Sequence, residues 1–146
     1  MIDILNNSLR LLVIFYTLSI SACSTPSPEL TVRLFVQEEI KNTNPDRALD
    51  YICSSDTSGI AVLHKIPRGV ILITEEKYAA KKMDENSAII NVYLEAKSTS
   101  DYGSARVTIV GDVTVLRRNN KWCIDGNSVI TGLAQSAFDI VSQFFR

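Results

Sequence analysis

Histidine and tryptophan each occur once in this chain, and cysteine three times. The lone His64 and the scattered cysteines do not form a cluster of metal ligands, so no metal and no other cofactor is expected. There is no glycine-rich phosphate loop, no nucleophile elbow and no metal-ligand spacing, which leaves the common motif-borne chemistries unwritten. Neither sign of charge dominates, with 15 Lys and Arg against 16 Asp and Glu. That balance gives no electrostatic reason to expect nucleic acid, which usually demands a concentrated basic face. Internal repeats are absent. The one long apolar run, Leu11 to Ile20, is too short to span a bilayer, which takes about 20 residues.

What is present begins with that run. It follows a polar start containing Asp3 and Arg10 and ends in Ile20-Ser21-Ala22-Cys23, with Ser24, Thr25, Pro26, Ser27 and Pro28 behind it. A short hydrophobic stretch closing on small residues reads as an export signal. The cysteine directly after those small residues resembles the lipobox of bacterial lipoproteins. The resemblance implies that Cys23 is lipidated and becomes the first residue of the mature protein. An ordinary secretory signal or an uncleaved anchor helix are the alternatives. In the lipoprotein family a Ser after the lipidated Cys is compatible with sorting to the outer membrane, on its periplasmic side in a Gram-negative cell. The expected organisation is a signal peptide over 1–22, a lipidated tether over 23–28 and a single domain over 29–146.

Removing 22 of 146 residues leaves 124, enough for one compact core. Cysteine usage agrees with export. With Cys23 consumed by lipid, Cys53 and Cys123 remain in a compartment that permits oxidation. A bridge between them would close a loop of about 70 residues and contribute roughly 4 kcal/mol. Two separate buried thiols are the alternative.

Hydrophobic periodicity places helices first and strands after. Ser27-Pro28 is a helix start, and Val32, Phe35, Val36 and Ile40 then share one stripe, with Glu38, Glu39 and Lys41 largely elsewhere. Asn44-Pro45 repeats the start signal before Ala48, Leu49, Ile52 and Cys53, a second short amphipathic helix. From Val70 onward the period is two. Ala88, Ile90, Val92, Leu94 and Ala96 alternate with Ile89, Asn91, Tyr93, Glu95 and Lys97, and residues 105–115 behave alike. Connections are expected at Asp84-Glu85-Asn86, Ser100 to Gly103 and Asn119-Asn120, and Gly111 inside a strand suggests a bulge or sharp bend. The last strand, Lys121 to Asp125, stops at Gly126-Asn127. A C-terminal helix is expected over 131–146. The fold class is therefore α+β, with N-terminal helices packed on a curved antiparallel sheet of about four strands and a terminal helix.

This order of elements, with Asn44-Pro45-Asp46-Arg47-Ala48-Leu49-Asp50-Tyr51 before the sheet and Asn120-Lys121-Trp122-Cys123-Ile124 closing it, resembles the nuclear transport factor 2-like superfamily. The likeness covers about residues 28 to 125 and is particularly to small bacterial lipoproteins carrying such a domain. It implies a cone whose sheet wraps the helices around a pocket. Because the superfamily contains enzymes, binding modules and assembly proteins, the fold selects no function. Trp122 and Cys123 point to opposite sheet faces, so one face cannot both bury the indole and carry the bridge.

Few residues are candidates for chemistry. His64, next to Lys65, reads as a solvated loop residue. Tyr78, Tyr93 and Asp112 could face a cavity, although tyrosines on half-buried strands are more often packing residues. Arg117-Arg118-Asn119-Asn120-Lys121 reads as a soluble hairpin end, with contact to anionic lipid head groups or a partner as the alternative. In the C-terminal segment Leu133, Ala134, Ala137, Phe138, Val141, Phe144 and Phe145 recur at helical spacing. They suit a helix docked on the domain or an exposed stripe in which Phe138, Phe144 and Phe145 form a partner surface, Phe144 and Phe145 as its anchors. Two functions follow: a non-catalytic envelope lipoprotein that binds a protein or scaffolds an assembly, or a lipoprotein whose pocket holds a small apolar or amphipathic ligand. No catalytic residue is assigned.

Overall fold

A computed structural model describes residues 25–41, 44–53, 71–98 and 106–134. Helix α1, Pro28–Glu39, starts as its sequence dictates. Ser27 caps it, its Oγ accepting from the Leu30 amide at 3.2 Å, and Pro28 fills the first turn where no amide is needed. Val32, Phe35 and Val36 are fully buried and Ile40 partly so. Glu39, expected off the apolar stripe, is buried as well. The reason is spacing, since it lies one turn beyond Phe35 on the same face.

Helix α2, Pro45–Ala48, is shorter than its apolar pattern suggested. It tightens into a 3-10 turn over Leu49–Tyr51, leaving Leu49 exposed. Ile52 and Cys53 are not helical. Ile52 is extended and bridges Ile124 in parallel, and the Cys53 amide donates to the Ile124 carbonyl at 2.9 Å. An offered sheet edge outcompeted the end of a weak helix.

Four strands follow, β1 (Ile71–Met83), β2 (Ser87–Ser98), β3 (Arg106–Arg118) and β4 (Lys121–Ile124). They form one open antiparallel sheet in the order β1-β2-β3-β4, so the protein is α+β with a four-stranded meander and a few short helices. The alternation expected for β2 is present along its length: Ala88, Ile90, Val92, Leu94 and Ala96 are buried, and the residues between them are not. Opposite them in β3 stand Val115, Val113, Gly111, Ile109 and Val107. These side chains pack against α1 and Ile124, each fully buried Val, Leu, Ile or Phe contributing about 1.5–3 kcal/mol.

Two of the expected turns are formed. Asp84 organises the first, its Oδ1 accepting from the Asn86 and Ser87 amides at 3.0 and 2.7 Å and its Oδ2 from the Ser87 hydroxyl at 2.7 Å. The second is the two-residue turn Asn119-Asn120, where both φ angles are positive (49° and 62°), as a hairpin with this twist requires and as asparagine tolerates. The 100–103 connection lies outside the described residues.

Gly111 is not a bulge. Pairing with β2 runs through it without a shift, and the register shifts lie instead in β1, between Ile73 and Glu75 and between Ala80 and Lys82. The C-terminal helical chain also begins earlier than expected. Asp125 precedes helix α3, Gly126–Val129, without a side-chain cap, and the helix runs on as a wider π turn over Ile130–Ala134. Two hydrogen bonds hold this segment to β3 at Thr114, and a third, inside the segment, fixes the Ser128 hydroxyl. The Asp125 amide donates to the Thr114 carbonyl (2.9 Å), the Thr114 amide to Ser128 Oγ (2.9 Å), and Ser128 Oγ to the Asp125 carbonyl (2.7 Å). The segment thereby extends the cover of the β3 edge past the end of β4.

Candidate functional site

Cys53 and Cys123 form a disulfide across 70 residues, with their Cα atoms 5.0 Å apart. It fastens the chain after α2 to β4, reinforcing the Ile52–Ile124 bridge beside it. The opposition of Trp122 and Cys123 is resolved by using both faces. Trp122 packs toward the core, with the Arg117 guanidinium 5.9 Å from its ring centre, while Cys123 turns away to the bridge.

The three candidates Tyr78, Tyr93 and Asp112 do not share a site. Tyr78 lies on the core side of β1 under α1. Its hydroxyl lies 3.4 Å from Glu76 Oε2, and Arg33 of α1 sits 5.3 Å from the ring centre. Burial, then the neighbouring Glu76 carboxylate, push its phenol well above the ordinary tyrosine range. Lys41 completes this seam, its ammonium 2.8 Å from Glu76 Oε2.

Tyr93 occupies the opposite, wetter face. Its hydroxyl donates to Glu95 Oε1 at 2.6 Å, which raises the phenol's pKa, and Lys77 lies 5.1 Å from its ring centre. Asp112 is on the same face, paired with Asn91 of β2. Its Oδ2 meets Lys81 Nζ at 2.7 Å and its Oδ1 accepts from Asn91 Nδ2 at 2.8 Å, so one polar row ties three strands together. The Lys81 ammonium, then the Asn91 amide, hold its carboxyl below the usual range. Both oxygens are occupied and the proton affinity is low, which suits a cross-strand tie and not a general base.

Beside this row lies an open depression of about 500 Å³, bordered by Lys81, Asn91, Val110 and Thr131 and floored by the backbone of Gly111 and Gly132. The row was not legible in the sequence. Asn91 and Asp112 occupy outward positions of their strands, but only the register sets them side by side. Among the described residues no group of three histidine, cysteine, aspartate or glutamate side chains could hold a metal ion. No helix among them is long and apolar enough to cross a membrane. Cys23, His64, Phe138, Phe144 and Phe145 lie outside the described residues.

No protein-family model, curated protein or solved structure matches the chain.

Proposed function

We propose that the protein is an exported bacterial lipoprotein, anchored through lipid on Cys23 to the cell envelope. Its α+β domain, of the nuclear transport factor 2-like kind, serves as a non-catalytic module that binds a protein or scaffolds an assembly. The observation that carries this reading is the pairing of Cys53 with Cys123. Of three cysteines, two are joined as an oxidising compartment permits, and the third is the one that directly follows the export-signal pattern. Acyl chains at that position supply about 0.8 kcal/mol per buried methylene, so two or more hold a soluble domain at a membrane stably. Ser24 fits the outer membrane, on its periplasmic side.

The binding reading is favoured over a ligand pocket by how the interior is filled among the described residues. Phe35, Val32, Val36, Ile90, Leu94 and Ile124 occupy the space between α1 and the sheet and are fully buried. A helix ahead of an antiparallel meander, packed on one of its faces, supports the superfamily likeness.

The test is Cys23→Ser with membrane fractionation and labelled fatty acid. The native chain should take up label and sediment with membranes, and the variant should do neither. Label in both would overturn the anchor. Native mass spectrometry of the extracted protein should then show polypeptide and acyl mass alone. A stoichiometric small molecule would favour the ligand-binding alternative.

A further inference from the structure

We propose that the β3–β4 hairpin tip, through Arg117, Arg118 and Lys121, rests on anionic lipid head groups of the membrane that holds Cys23. This rests on the lipid anchor proposed above and adds an orientation to it.

The direction of α1 supplies the first observation. Arg33 lies over Tyr78, and Lys41 meets Glu76. Going back along the helix from Lys41 to Arg33 thus moves along β1 from Glu76 to Tyr78, toward Met83 and the 84–86 turn. The start of α1 therefore lies at the sheet end that carries this turn. The Asn119-Asn120 turn is at the same end, since Ser87 pairs with Leu116 and the Arg117 amide donates to the Asn86 carbonyl at 2.8 Å. Cys23 precedes Thr25, the first described residue, by two positions, a reach of at most about 7 Å. Acyl chains on Cys23 would draw this end of the domain to the bilayer.

The second observation is the charge found there. Arg117, Arg118 and Lys121 are all exposed, and among the described residues none is in a salt bridge. Arg118 and Lys121 are direct cross-strand partners, a like-charge pairing that costs stability and that an anion would relieve. The adjoining turn adds exposed Lys82 against Asp84 and Glu85, so four cations face two carboxylates. Asp84 is already occupied by Ser87 and Asn86. Phosphate head groups fit this surface, since each Lys or Arg near an anionic membrane shifts the docking equilibrium about fivefold.

Trp122, the chain's single tryptophan, sits in this hairpin and reports on it. The full-length protein extracted from membranes would be reconstituted into phosphatidylcholine vesicles with and without phosphatidylglycerol, each carrying a head-group quencher. Flotation reads the anchor and Trp122 quenching reads the tip. The expected result is flotation with both vesicles, and Trp122 quenching that needs phosphatidylglycerol, fades with salt and is lost in R118Q/K121Q. R118K/K121R should retain it, which separates charge from folding. Flotation with both but quenching indifferent to phosphatidylglycerol would overturn the docked tip and leave the anchor standing. Flotation on phosphatidylglycerol alone, lost in R118Q/K121Q, would uphold the tip and overturn the anchor. No flotation on either would overturn both.

Discussion

Gly111 and Gly132 meet backbone to backbone: a methyl group on Gly111 would overlap the Gly132 carbonyl oxygen, and one on Gly132 would overlap the Asp112 carbonyl. The pair lets the helical segment after β4 lie directly against β3. No side chain fits between them, so each glycine is needed for its lack of Cβ.

Gly111→Ala should therefore destabilise the domain by about 2–3 kcal/mol, the cost of forcing atoms into a filled contact. Thr108→Ala, at an exposed position of the same strand, should change stability by no more than about 0.5 kcal/mol. Urea denaturation of both variants checks the contrast. Equal midpoints would mean that the segment does not sit on β3.

Joining residues 70 apart should restrict the unfolded chain strongly. Reducing the Cys53–Cys123 bridge, or replacing both cysteines by alanine, should cost about 4 kcal/mol in the chain-entropy account. A denaturation midpoint indifferent to reductant would contradict this.

Burial and Glu76 raise the Tyr78 phenol above its unfolded value, so its contribution to stability is complete below an unfolded pKa of about 10. It is lost as pH rises from there toward the folded value, because the unfolded chain gives up that proton first. Melting temperatures measured from neutral to alkaline pH should fall above about 10. Tyr78→Phe should flatten the fall in part, since Tyr93 is shifted the same way. Identical slopes would remove Tyr78 from the account.

Asp112 works in the opposite direction. Its carboxyl is held low by Lys81 and Asn91, so the contribution is present above the unfolded value of about 3.9 and is lost as pH falls through the folded one. Both ion-pair partners are more than a third exposed, which limits the pair to about 1 kcal/mol or less. Asp112→Asn should cost that little at neutral pH, with a shallower acid limb in a pH series of melting curves. A loss of several kcal/mol would mean that the row carries more than a surface tie.

What could be read from the chain follows the physics of each signal. Ser27-Pro28 and the β2 alternation are local patterns with one strong solution, and both are realised. The sequence permits either a bridge or two buried thiols at Cys53 and Cys123, and the two are bonded. Ile52 and Cys53 left the expected helix because Ile124, 72 residues after Ile52, offered a free edge, a contact that no local window contains. Gly111 suggests a bulge or a sharp bend because a strand glycine has several uses, and only the path of residues 125–134 selects among them. Asn91, Lys81 and Asp112 came together through register, which periodicity alone does not supply.

The most direct measurement is the intact mass of protein extracted from membranes, before and after reduction and alkylation. Predicted is a chain that begins at Cys23 and carries acyl mass, with two thiols becoming alkylatable only after reduction. An unlipidated chain, or the full precursor with a free Cys23 thiol, would contradict the lipid anchor.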